Sequence, residues 1–104
     1  MEQFEVRRMA ARPASGDRRQ AIVGVNASGN LEVLVERILP GGTSAVEVTT
    51  AIAGFRDLWT AVIEDFFDRC ATGGLKFSIN DGGARPDVVS LRLMQSVRLM
   101  EGGQ

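Results

Sequence analysis

Apolar positions recur every second residue through the first half of the chain and every third or fourth residue after it. From Gln3 to Arg8, Phe4, Val6 and Arg8 alternate with Glu5 and Arg7, the period of a half-buried strand. The run Ala21-Ile22-Val23-Gly24-Val25 is rich in β-branched residues. Leu31, Val33 and Val35 then alternate with Glu32, Leu34 and Glu36, so two more strands are expected. Between them Asn26-Ala27-Ser28-Gly29-Asn30 is short and carries Gly where positive φ is cheap. It predicts a β-hairpin with Ser28 at its tip. Pro40-Gly41-Gly42 ends the second of these strands, and Ser44 to Thr50, with Val46 and Val48 on one face, predicts a fourth.

The period then lengthens. Phe55, Leu58, Trp59, Val62, Ile63, Phe66, Phe67 and Cys70 fall on one helical stripe. Arg56, Asp57, Thr60, Glu64, Asp65, Asp68 and Arg69 lie opposite, with Asp65 spaced to pair with Arg69. Gly73-Gly74 is expected to stop the helix. Leu75, Phe77 and Ile79 alternate as in a strand, and Asn80-Asp81-Gly82-Gly83 gathers turn-formers. The segment from Pro86 fits two patterns: Val89, Leu93, Val97 and Met100 at helical spacing, or Val89, Leu91 and Leu93 in strand alternation. Its length favours the helix, which Pro86 and Asp87 would suit in its first turn. The order ββββαβα predicts an α+β fold: a two-layer sandwich with a mainly antiparallel sheet of about four to five strands and both helices on one face. A single domain is expected over 1–104, with 1–18 as an N-terminal strand and loop and 19–100 as the core.

Composition removes whole classes of chemistry. The 104 residues include one Cys and no His, which excludes a disulfide framework, a Cys/His metal site and every imidazole mechanism. No catalytic residue and no metal site are assigned, and a free-standing enzyme is not expected. Twelve basic residues balance 13 acidic ones for a net charge of −1, too little positive charge for a nucleic-acid binder. Arg7, Arg8, Arg12, Arg18 and Arg19 crowd the first fifth of the chain. Glu2, Glu5 and Asp17 among them argue against a targeting segment and for a solvated strand and loop. No apolar stretch approaches the roughly 20 residues that span a bilayer. A cytoplasmic protein with no membrane partner is expected.

Ser28 is the leading candidate for chemistry. A serine beside Gly at a hairpin tip is ordinary turn chemistry, yet a hydroxyl that must accept a bulky group needs such a place. With no His or Lys nearby in the sequence, its activation would come from another protein. Gly24 to Gly29 opens like a phosphate-binding loop, but Asn30 and Leu31 stand where Lys and Ser/Thr are required. Asn26-Ala27-Ser28 is formally a glycosylation sequon, without meaning in a cytoplasmic chain. Cys70 reads as a small hydrophobe of the helix stripe, and Glu64, Asp65 and Asp68 as a solvated or partner-facing helix face.

The stretch from Arg19 to Leu34, RQAIVGVNASGNLEVL, resembles the acyl carrier (delta) subunit family of malonate decarboxylase. Gly54-Phe55 leading into the Trp59 to Phe67 helix, Asn80-Asp81-Gly82-Gly83-Ala84 and Val88-Val89-Ser90-Leu91-Arg92-Leu93 resemble the same family in the same order. The likeness extends from about Arg19 to Val97. It implies a non-catalytic carrier whose Ser28, in the context of Gly29 and Asn30, holds 2'-(5''-phosphoribosyl)-3'-dephospho-CoA through a phosphodiester. Acetyl and malonyl groups would ride as thioesters on the arm's thiol. The implied partners are a malonate/acetyl carrier transferase subunit, malonyl-carrier decarboxylase subunits and a prosthetic-group transferase. Asn30 departs from the family's usual Asp after Ser-Gly, which keeps size and removes a charge. Arg18 and Arg19 are candidates for steadying the arm's phosphates, with a plain surface role as the alternative.

Two other readings compete. The chain is more faintly similar to the citrate lyase gamma (acyl carrier) subunit, through Ser-Gly and the later Asp-Gly-Gly-Ala turn. It could also be a small interaction or regulatory subunit that docks by its acidic helix face or by a sheet edge.

Overall fold

The structure, a computed structural model, describes residues 1–102. Its elements follow the expected order: β1 (Glu2–Met9), β2 (Gln20–Gly24), β3 (Leu31–Arg37), β4 (Thr43–Thr50), α1 (Arg56–Arg69), β5 (Leu75–Asp81) and α2 (Pro86–Met100). The strands form one sheet in the order β1-β4-β5-β3-β2. All neighbours are antiparallel except β4 and β5. A parallel pair cannot close through a tight turn and needs a crossover, and α1 supplies it.

Strand alternation sorts the sheet into two unlike faces. Phe4, Val46, Val48, Phe77, Ile79, Leu31, Val33, Val35 and Ala21 are buried under the helices. Glu5, Glu47, Lys76, Glu32 and Glu36 occupy the other pleat, which carries no helix and stays partly or fully exposed. From α1, Trp59, Ile63, Phe66 and Phe67 close the core, and from α2, Val89, Leu93, Val97 and Met100 do so. Phe66 meets Phe77 edge-on at 5.2 Å between centroids, a geometry that aligns ring edge with ring face. No helix among the described residues is long and apolar enough to cross a membrane.

The ambiguous last segment is helical throughout, with Leu91 left at the surface as the helical reading requires. Two other expectations change. Phe55 and Leu58 belong to the apolar stripe by spacing but remain 51% and 46% exposed, because they line an open cleft between α1 and the start of α2. The Gly73-Gly74 stop is also misplaced. α1 ends at Arg69 and Cys70 is already extended. Gly73 instead forms a parallel bridge with Pro13: its amide donates to Arg12 O at 3.0 Å and its carbonyl accepts from Ala14 N at 2.9 Å.

The N-terminal loop is held by one side chain. The Arg37 guanidinium donates to the carbonyls of Arg18 (2.9 Å), Ala14 (3.1 Å), Ser15 (3.0 Å) and Met100 (3.0 Å). The acidic side of α1 is not simply solvated. Asp65 pairs with Arg69 as expected, at 3.0 Å, but Arg8 of β1 reaches up to Glu64 (3.0 Å) and Asp68. The hydrogen bond that Arg8 donates to Asp68, then the charges of both acids, raise the Arg8 pKa above its ordinary value.

Candidate functional site

The loop that carries Ser28 is built as a turn set on the end of the hairpin. Val25 N donates to Leu31 O at 3.0 Å, the last rung, and Asn30 N donates to Ala27 O at 3.0 Å. The second bond closes a β-turn over Ala27-Ser28-Gly29-Asn30. Gly29, at φ +74°, takes the left-handed third position of a type II turn, which a side chain resists. Ser28 occupies the second position and is exposed, as the hairpin reading expected. Asn30 is half-buried, and its Oδ1 accepts the amide of Leu31 at 2.8 Å.

The loop is not free. Gly29 N donates to Gly82 O at 3.2 Å, and Gly82 N donates to Asn30 O at 2.9 Å. The two sequence stretches singled out separately, Val25 to Asn30 and Asn80 to Ala84, are thus one object. Gly82 has to be Gly there, since a Cβ would collide with the Ala27 carbonyl. Asp81 braces the turn from within. It is buried, and its carboxylate accepts from Thr50 Oγ1 (2.8 Å), Gly83 N (3.0 Å) and Ala84 N (2.8 Å). A buried carboxylate is tolerated when its lone pairs are filled this way. The ends of β4 and β5, the start of α2 and the serine loop are all joined through it.

The surroundings of Ser28 hold no activating base. The chain has no His, and its sole lysine, Lys76, stands in register with Glu36 at the opposite end of the sheet. Asp81 is fully engaged with Thr50 and with the amides of its own turn. Cys70 lies beyond the last turn of α1, close enough to Glu101 at the far end of α2 to feel its charge. Burial, followed by Glu101, pushes its thiol pKa up, which makes it a poor nucleophile. Arg18 and Arg19 hydrogen-bond through their carbonyls to Arg37, at the end of β3 away from Ser28. The strand between spans about 20 Å, so they do not line the serine loop.

Two concavities flank the loop. Beyond Gly83, an apolar cleft of about 230 Å³ opens between the β4–α1 link and the start of α2, with Ile52, Phe55, Leu58 and Trp59 among its walls. On the other side, a groove of about 390 Å³ runs between the edge strand β2 and α2, lined by Val23, Gly24, Gln95, Arg98 and Leu99. Arg92 is not among the lining residues but lies near Gly24, its Cδ 3.4 Å from where a Cβ on that residue would be. Sequence reasoning noted Arg92 only as part of the Val88 to Leu93 stretch. Its position beside Gly24 depends on how α2 crosses the sheet.

Ser28 is thus an exposed hydroxyl on a braced loop, as a group-presenting domain of the carrier class requires. Comparison with known proteins gives the class its family. The profile described as "Malonate decarboxylase delta subunit (MdcD)" matches residues 18–100. A malonate decarboxylase acyl carrier protein of Bradyrhizobium diazoefficiens is 59% identical over the whole of both chains. One of Xanthomonas euvesicatoria is 46% identical over 98% of this chain and 97% of its own. In the crystal structure of a Pseudomonas malonate decarboxylase hetero-tetramer in complex with malonate, a chain superposes with a TM-score of 0.84 at 36% identity. The match covers 96% of this chain and 99% of that one. The chain belongs to the malonate decarboxylase delta-subunit family and is an acyl carrier subunit of that enzyme.

Proposed function

We propose that the chain acts as one carrier domain, 1–104, and bears its acyl group on 2'-(5''-phosphoribosyl)-3'-dephospho-CoA joined by a phosphodiester to Ser28. The single observation that carries this is the placement of Ser28: exposed at the second position of a turn that is pinned on its inner side to Gly82. Such a group supplies a terminal thiol that holds acetyl or malonyl as a thioester. The protein's own task is mechanical. Gly29 supplies the turn that pushes the Ser28 hydroxyl outward, and Asn30 locks the turn's exit through the Leu31 amide. Asp81 keeps the base of the loop from moving. A stiff base lets a tethered substrate sweep a small volume around its anchor, which raises its effective concentration at each active site it visits.

On this reading the chain contributes no catalytic side chain. Attachment is performed by a prosthetic-group transferase, acyl exchange by a malonate/acetyl carrier transferase subunit and decarboxylation by malonyl-carrier decarboxylase subunits. The hetero-tetrameric state of the Pseudomonas relative supports assembly with other subunits. The lone unpaired Cys70 fits work in the cytoplasm, where thiols stay reduced. The test is intact mass after coexpression with the loading enzymes. The wild-type chain gains the mass of the nucleotide arm, and Ser28→Ala gains nothing while unfolding within about 0.5 kcal/mol of wild type. A wild-type chain left unmodified by a loading system that modifies a family relative overturns the assignment.

A further inference from the structure

The cleft beyond Gly83 leaves apolar surface uncovered next to the serine loop. Thr50 and Asp81 end β4 and β5, so it opens at the carboxyl ends of the parallel pair, where the chain turns away from each strand and leaves a hollow. Ile52, Phe55 and Leu58 stand exposed around it, and Trp59, Val62 and Val89 line it more deeply. Its two polar side chains are already satisfied: the Thr50 hydroxyl donates to Asp81, whose carboxylate also accepts two amides. No basic side chain among the described residues lines it. Such a surface suits a flat, uncharged, largely apolar group and disfavours a phosphate or a second carboxylate. At about 230 Å³ it falls below the roughly 300–1,000 Å³ of a drug-sized site and suits a single ring system.

We propose that this cleft seats the adenine of the arm anchored at Ser28, with the exposed Phe55 ring as its stacking face. The inference rests on the Ser28 carrier reading for its choice of ligand. Adenine is the one flat, uncharged ring system of that arm, the rest being phosphates, sugars and a thin flexible chain. It is also the part with the right reach. A phosphate and two sugars separate the Ser28 oxygen from the base, about ten bonds or roughly 12 Å when extended. Gly29, next to Ser28, is bonded to Gly82, and Gly82 adjoins Gly83 of the cleft wall. That path puts the Ser28 and Gly83 Cα atoms within about 13 Å of each other. With the base held, only the pyrophosphate and the pantetheine beyond it swing. The thiol then sweeps a smaller volume, which raises its effective concentration at a neighbouring active site.

The experiment is an NMR titration of the unmodified chain with adenosine, with pantetheine and with inorganic pyrophosphate in separate series. It follows backbone amides and the indole N–H of Trp59, the sole tryptophan. Adenosine is expected to move the Ile52, Phe55, Gly83 and Trp59 signals together, and the other two probes to leave them in place. Phe55→Ala should weaken adenosine binding about three-fold or more, the scale of one lost aromatic contact. Leu91→Ala, at an exposed apolar position of α2 outside the cleft, should leave it unchanged. In the loaded chain the same signals should already stand near their adenosine-bound positions, and added adenosine should not move them further. Four results overturn the proposal: still cleft signals, pantetheine acting as strongly as adenosine, equal losses in the Phe55 and Leu91 variants, or a loaded chain that binds free adenosine as the unloaded one does. The wild-type titrations decide even if Phe55→Ala does not fold. Ser28→Ala, which cannot be loaded, should bind adenosine as the wild type does. Titration therefore judges the cleft and intact mass the anchoring serine.

Discussion

The Gly29 amide of the serine turn donates to the Gly82 carbonyl of the β5–α2 turn at 3.2 Å, so a loop that looks free in the sequence is tied to the turn that follows the neighbouring strand β5. The return bond from Gly82 N to Asn30 O, at 2.9 Å, makes the tie two-handed. Both bonds need backbone against backbone with no Cβ between. Gly82→Ala places a methyl on the Ala27 carbonyl and is expected to cost about 1–3 kcal/mol of stability. Urea unfolding measures the cost, and amide exchange should show Gly29 losing protection more than the core strands do.

Asp81 is the brace behind that tie. Removing its carboxylate in Asp81→Ala strands the Gly83 and Ala84 amides and the Thr50 hydroxyl. A loss of about 3 kcal/mol or more is expected, and Asp81→Asn, which keeps one acceptor oxygen, should lose less. Ser28 loading should slow in both variants, read as the rate of mass gain against wild type.

Asn30 separates a structural role from a charge role. Its Oδ1 accepts from Leu31 N, and a carboxylate oxygen does the same. Asn30→Asp is therefore expected to fold within about 0.5 kcal/mol of wild type, while Asn30→Ala loses about 1 kcal/mol. If the family's usual Asp contacts the loading transferase, Asn30→Asp should load faster than wild type at low salt and lose that advantage at high salt.

Burial holds the Cys70 thiol pKa above its ordinary value, with Glu101 adding to the effect. A raised thiol pKa favours the protonated form in the fold, so the thiolate fraction near pH 8 is smaller than in the unfolded chain. Alkylation by iodoacetamide at that pH should be slower for the native protein than for the urea-unfolded one. In a loaded carrier the fast-reacting thiol should be absent from Ser28→Ala and unaffected by Cys70→Ser.

The elements themselves were legible because each depends on near neighbours. Alternation in Leu31 to Glu36 and the stripe from Trp59 to Phe67 are properties of a few consecutive residues, and both faces came out as the pattern requires. The exposure of Ser28 was legible for the same reason: Gly29 beside it dictates the turn. Where the pattern failed, a distant partner had intervened. Gly73 looked like a helix stop, but Pro13 claims its backbone, and Glu64 and Asp68 looked solvated, but Arg8 lies across from them.

Local periodicity and turn chemistry thus laid down the seven elements, most of their buried faces and the exposed turn that carries Ser28, since each is written in adjacent side chains. The β1-β4-β5-β3-β2 order, the clasp between Gly29 and Gly82 and the approach of Arg92 to Gly24 arose from folding in three dimensions. Those contacts join residues far apart along the chain. They are selected by how the crossover helix and the parallel β4–β5 pair let the rest of the sheet close, a choice that no short window of sequence contains.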